Sequence, residues 1–260
     1  MATATTPEGI AIACDLVGDG PALVLIHGIT ESRRTWDPLV PELATDHAVL
    51  AVDVRGHGES ADADADAYDS AAMAADVAAL VGELGLVDPL VVGHSMGGIV
   101  ATAYAAAHPC RGVLNVDQSI ALGDFQDLVR GAEELLRGDA FAEVITSLFE
   151  SMHGPLPADE VARVGALRRP SQEVVLGVWE PLLELDRADL DALVVAMASA
   201  VRVPYLSLHG IDPGPDYGPW LASVIPTSTV EVWDDHGHYP HLVDPPRFLD
   251  RVRRFESTLG

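Results

Sequence analysis

No lysine occurs anywhere in the 260 residues: all 15 basic residues are arginine, set against 40 aspartates and glutamates for a formal charge of -25. So acidic a chain disfavours nucleic acid and anionic membranes as partners and repels strongly anionic substrates at a distance. It is equally what a salt-adapted or high-GC source produces, with no bearing on chemistry. Cysteine is scarce: Cys14 and Cys110 form no disulfide framework and sit in no C-x-x-C pair. Long apolar runs are missing too, since no stretch approaches the ~20 residues that span a bilayer. Met1 to Pro7 has neither the basic region nor the apolar run of a secretory signal. These absences lead to the expectation of a cytoplasmic protein without membrane or nucleic-acid partners. The acidic run Asp62-Ala-Asp-Ala-Asp66 lacks the ligand number and glycine turn of a calcium loop and reads as a solvated loop.

What is present is ample core: at 48% hydrophobic, the chain can fill one α/β domain with an inserted subdomain. Gly9 to Val17 is a modest strand candidate, closed by the Gly18-Asp-Gly-Pro21 turn signal. Ala22 to Ile26 and Ala48 to Val54 are continuous apolar runs of the kind buried on both faces of a parallel sheet. A helix-like segment from Trp36 to Ala44 separates them. Ser70 to Leu84 sets Met73, Val77, Leu80, Val81 and Leu84 at helical spacing behind a cap at Asp69 or Ser70. Leu90 to Val92 and Gly112 to Val116 continue the strands, the second ending at Asp117.

Strand and helix alternate to this point, which predicts a mostly parallel central sheet flanked by helices. From residue 120 to 200 the pattern is helical with no convincing strand, punctuated by Pro155, Pro157, Pro170 and Pro181. The expected organisation is therefore a core of residues 1–119 and 201–260 with a helical cap insertion over 120–200. The sheet resumes at Val203 to Leu208, then a helix from Tyr217 to Val224, a strand from Thr229 to Trp233 and a closing helix from Pro246 to Leu259.

Gly93-His-Ser-Met-Gly97 fits G-x-S-x-G between the Leu90–Val92 strand and an alanine-rich helix. That context puts Ser95 at a strained apex, and the crowded turn needs the small residues that Gly93 and Gly97 supply. A serine hydroxyl is a weak nucleophile at neutral pH and needs a base within hydrogen-bond reach. Trp36, Trp179, Trp220 and Trp233 are isolated; Trp220 and Trp233 read as core, and Trp179 is left open because it falls in the helical insertion.

Four features in order, His27-Gly28 after a strand, Asp53-x-Arg-Gly-His-Gly-x-Ser60, the Ser95 motif and Gly237-His238, make the chain resemble the α/β-hydrolase fold over nearly its whole length. The subfamily is not identifiable from them. The resemblance implies a nucleophile at Ser95 and, in the chain order Ser, acid, His, a base at His238, which directly follows a glycine as the family histidine does. It implies Asp212 as the acid, although the spacing from Gly210 is one residue short, with Asp117 and Asp216 as alternatives. It implies oxyanion donors at the backbone N–H groups of Ile29 and Met96, and structural roles for His27, His94, Arg55, His57 and Ser60.

No metal or cofactor is implied. H-x-H-x-x-H at His236, His238 and His241, without a cysteine or a placed carboxylate, makes a thin zinc set. Serine at position 95, where halide-removing and epoxide-opening relatives carry aspartate, speaks against those two chemistries. The expectation is a serine hydrolase cleaving a carboxylic ester or lactone of a small, largely apolar substrate. Carbon–carbon bond hydrolysis, amide or thioester cleavage, acyl transfer, perhydrolysis and a small-molecule receptor on the same fold are the alternatives.

Overall fold

A computed structural model describes residues 2–6, 9–64 and 67–259. Met1 and Pro7 of the N-terminal segment, and Ala65 and Asp66 of the acidic run, lie outside the described residues. Eight strands form one sheet: β1 (Ala2–Thr5), β2 (Ala11–Val17), β3 (Ala22–Ile26), β4 (Ala48–Val52), β5 (Leu90–His94), β6 (Gly112–Val116), β7 (Tyr205–His209) and β8 (Ser228–Val232). Their order across the sheet is β1-β2-β4-β3-β5-β6-β7-β8. The pairings β1–β2 and β2–β4 are antiparallel; every later pairing is parallel. β1 was not legible in the sequence, and it covers the edge of β2.

The continuous apolar runs are explained by alternation. In β3, Leu23 and Leu25 face one core while Val24 and Ile26 face the other, and β4 divides Val49 and Ala51 from Leu50 and Val52 in the same way. One core lies under α1 (Val40–Leu43) and the C-terminal helix; the other lies under α2 (Ser70–Glu83) and α3 (Met96–Ala107). Asp69 caps α2, its Oδ1 accepting from Ala71 N and Ala72 N at 2.8 and 2.9 Å. The Trp36–Ala44 segment is not one helix: a 3-10 turn over Arg33–Trp36 precedes α1, with Pro38 between them and Pro41 in the first turn of α1.

Between β6 and β7 the chain runs through seven helices: α4 (Gly123–Gly131), α5 (Glu133–Arg137), α6 (Phe141–Met152), α7 (Ala158–Leu167), α8 (Gln172–Val178), α9 (Glu180–Glu184) and α10 (Arg187–Ala198). α10 packs on α3, and α7 against the Arg33–Trp36 turn. α11 (Tyr217–Val224), α12 (Pro240–Val243) and α13 (Pro245–Glu256) complete the chain. No helix among the described residues is long and apolar enough to cross a membrane.

The tightest point is the β5–α3 turn. A Cβ on Gly93 would stand 1.9 Å from Gly97 O, and one on Gly97 would stand 2.4 Å from Ile26 O. Both neighbours are backbone and cannot step aside. Gly93→Ala is therefore expected to destabilise the protein by about 3 kcal/mol or more. Urea unfolding checks this, and a wild-type midpoint would contradict the packing.

Candidate active site

Ser95 follows β5 and immediately precedes α3, with φ 54 and ψ -128. A non-glycine residue held there stores about 1–3 kcal/mol, which the surrounding packing must sustain. Its amide donates to Val116 O at 2.9 Å, tying the turn to β6. Ser95 and Met96 both line a cavity of about 1040 Å³, whose other walls include His238, Asp117 and Ile29. The cavity thus opens at the C-terminal ends of the parallel strands, where such sheets bind ligands.

The acid partner of His238 is Asp117. Its Oδ2 accepts from His238 Nδ1 at 2.6 Å, while Oδ1 accepts from Gly210 N and Ile211 N at 2.7 and 3.0 Å. This corrects the expectation for Asp212, whose Oδ1 turns back to accept from Gly214 N at 2.8 Å in an exposed loop. Asp216 is exposed as well. The reason is register. Val116 pairs with His94, so the residue after β6 stands beside the residue after β5, and Asp117 falls next to Ser95. The one-residue-short loop after Gly210 instead supplies two amides to Asp117. Burial alone pushes the Asp117 carboxyl up, but the bonds from His238, Ile211 and Gly210 outweigh it and hold it below the usual carboxylate range. His238 is pulled below its ordinary value, chiefly by burial and against the pull of Asp117. It is therefore a neutral ring whose Nδ1–H faces the carboxylate and whose Nε2 is bare.

His238 is also held through its backbone. Its carbonyl accepts from His94 Nε2 at 2.7 Å, and its amide donates to Met152 O, at the end of α6, at 3.0 Å. His94 is thus a brace, as expected. Around it Gly154 and Gly237 press backbone on backbone, a Cβ on either lying 2.9 Å from the other's Cα.

The loop after β3 is oriented by its carbonyl. Val54 N donates to His27 Nε2 at 3.2 Å, which leaves the proton on Nδ1, and Nδ1 donates to Gly28 O at 2.7 Å. Glu31 N donates to the same oxygen at 3.2 Å. Gly28 O and Ile29 N–H belong to one planar trans peptide and point in opposite directions. With the carbonyl held back by two donors, the Ile29 amide is turned the other way, and Ile29 lines the cavity. Met96 N–H is one of the first amides of α3, which have no partner within the helix.

Glu31, Arg168 and Tyr239 were not singled out by sequence reasoning, because nothing local marks a buried acid beside a motif glycine. The Glu31 carboxylate is 2% exposed. Gly28 N donates to its Oε2 at 3.3 Å, and Tyr239 OH and Arg168 Nη2 donate to its Oε1 at 2.8 and 3.0 Å. Burial would raise its pKa, yet His94, Arg168 and Tyr239 hold it well below the usual range.

The expected braces are present. Arg55 grips Asp76 through Nε and Nη2 at 2.6 and 2.7 Å, His57 Nδ1 bonds its own turn at Arg55 O, and Ser60 Oγ donates to Asp53 O at 2.6 Å. His236 bonds Asp234 O, and His241 is buried against Trp36 and Phe248. Trp233 is core, Trp220 is partly buried, packing against the core while also forming a wall of the cavity, and Trp179 lines the cavity too.

His27, His57, His238 and His241 are all pulled down mainly by burial, His57 to about 3. Each stays neutral in the fold while its unfolded counterpart takes up a proton near pH 6.5. The unfolded chain then binds more protons, so unfolding free energy is expected to fall below pH 6.5, by about 1.4 kcal/mol per pH unit for each histidine that stays neutral. Denaturant titrations at stepped pH read this directly; a flat profile from pH 7 to 5 would contradict it.

Known proteins show the same architecture. A family described as alpha/beta hydrolase fold matches residues 21–185. The pimeloyl-[acyl-carrier protein] methyl ester esterase of Aeromonas hydrophila is 26% identical over 268 residues, covering 95% of this chain and 99% of that protein. An esterase from Exiguobacterium antarcticum superposes with a TM-score of 0.82 at 21% identity, covering 98% of each chain. A thermophilic esterase from Thermogutta terrifontis superposes at 0.77 with 26% identity, covering 99% of this chain and 97% of that one. The chain belongs to the alpha/beta hydrolase fold family.

Proposed function

We propose that the protein is a serine hydrolase acting on a carboxylic ester or lactone of a small, largely apolar substrate. One observation carries the reading: Asp117 bonds His238 Nδ1 at 2.6 Å beside a serine held at positive φ on the same cavity. Ser95 Oγ attacks the ester carbonyl carbon and gives its proton to His238 Nε2. The Ile29 and Met96 amides receive the oxyanion, each worth about 10²–10³ in rate. Collapse expels the alkoxide, which takes the proton from Nε2 and leaves an acyl-Ser95. Water then attacks that carbonyl, again through His238, and the acid departs with Ser95 restored. The reaction as written needs neither metal nor cofactor.

Residues 120–200 act in this reading as a cap. Apart from Asp124, their contribution to the cavity is apolar, from residues such as Phe125, Leu148, Phe149, Val194 and Met197, and no arginine is among the described lining residues. An uncharged acyl or alcohol group suits such walls; a carboxylate tail would enter without a counter-ion.

Ser95→Ala is expected to abolish turnover of p-nitrophenyl esters with folding intact; turnover near the wild-type rate would sink the mechanism. Asp117→Asn should lower kcat by about 10³–10⁴ and Asp212→Asn by less than about threefold, and the reverse order would restore Asp212 as the acid. The kcat/KM profile should rise with pH with a midpoint below 6.5, since His238 must be neutral to act and burial lowers its pKa.

A further inference from the structure

Glu31 holds both polar groups of Gly28: its backbone N–H donates to Gly28 O at 3.2 Å and its Oε2 accepts from Gly28 N at 3.3 Å. Those two bonds, with His27, leave the following peptide one orientation. The arrangement carries a hazard. Oε2 and Ser95 Cβ each lie 3.2 Å from the point where a Cβ on Gly28 would stand, so a full negative charge sits close behind the place where an oxyanion forms. A carboxylate there, uncompensated, opposes that charge across a medium with little water.

The helical insertion supplies a compensating positive charge, in addition to His94, whose Nδ1 stands 3.6 Å from Oε2. Arg168, just past α7, donates from Nη2 to Glu31 Oε1 at 3.0 Å and from Nη1 to Thr30 Oγ1 at 2.7 Å. The next amide, Arg169 N, donates to Thr30 O at 2.9 Å, and Thr30 itself sits at φ 65. Tyr239, adjacent to His238, bonds both Glu31 and Arg168. The guanidinium lies 3.6 Å over the Phe149 ring, a wall of the cavity.

We infer that Glu31 and Arg168 are positioning residues for the oxyanion loop: Glu31 sets the Gly28–Ile29 peptide, and Arg168, from the insertion, neutralises Glu31 and pins Thr30. The inference rests on the serine-hydrolase reading. Neither residue touches substrate; both act through the Ile29 amide.

The geometry specifies a rescue. With Arg168 replaced by methionine, Glu31 keeps a buried charge without its partner. With Glu31 replaced by glutamine alone, the new amide meets a donor on either side, Gly28 N on one and Arg168 on the other, so one bond is lost in each orientation. With both changed, the glutamine oxygen accepts from Gly28 N and its nitrogen donates to Tyr239 OH, so the amide opposes no donor and no buried charge is left without its counter-charge.

The experiment measures ester kcat and KM per active site for wild type, Glu31→Gln, Arg168→Met and the double variant, together with the rate of Ser95 labelling by a fluorophosphonate. Labelling also passes through an oxyanion-like state and needs no particular ester. Each single variant is expected to lose about 10- to 100-fold in kcat and in labelling rate, with KM changed by less than about threefold. The double variant is expected to recover about fivefold or more relative to Arg168→Met. Single variants that melt earlier but keep kcat and labelling within about twofold would overturn the inference, as would a double variant whose losses simply add. If Arg168→Met does not fold, Glu31→Gln decides alone: wild-type rates overturn the inference and the stated loss supports it. A wild-type protein that labels at Ser95 but cleaves no ester overturns the ester reading and leaves the labelling rates to decide this one. One that does not label overturns both.

Discussion

Everything in this molecule is arranged around one close approach of backbone to backbone. Gly93, Gly97 and the carbonyls of Gly97 and Ile26 leave no room for a single added carbon, so β5, β3 and α3 meet in only one way. That contact forces Ser95 out of the ordinary φ range and aims the first amides of α3 at the cavity. The apolar strands on either side, each buried on both faces, provide the packing that sustains the strain. The strained serine is thus a consequence of sheet geometry before it is a matter of chemistry.

The parts legible in the sequence were those coded by neighbours in the chain. The Ser95 turn, the Ala22–Ile26 and Gly112–Val116 strands and the α2 helix with its Asp69 cap each need only a short window of residues to be recognised. His238 is marked in the sequence by the glycine before it. Asp117 was ranked behind Asp212 because the deciding fact, the pairing of Val116 with His94, is a relation between two strands with no signature in either. The strand end beside the nucleophile strand was the signal available. The cavity face of Trp220, which also packs against the core, was hidden for a similar reason: what an isolated tryptophan faces depends on what lies across from it. β1 was too short and too weakly patterned to announce itself.

Charge is distributed in two very different regimes. The surface is heavily acidic, yet the centre runs on neutral imidazoles and a few fully paired carboxylates. Asp53, Asp76, Asp117 and Glu31 are all buried, and each has hydrogen-bond donors converging on it. Burial pulls His27, His57, His238 and His241 below their ordinary range, which spares neighbours such as His27 and His57, whose rings lie 5.2 Å apart, from facing each other as like charges. The same condition leaves His238 ready to accept a proton.

The amide of His238 bonds to the carbonyl of Met152, and Gly237 rests on Gly154. The helical segment that shapes the cavity therefore also anchors the histidine that Asp117 holds at its edge. In such a protein selectivity and rate are not separate modules. A helical segment borrowed from a relative brings its own pocket walls, but it must also return a carbonyl to the same point in space, or the histidine it shelters loses its footing.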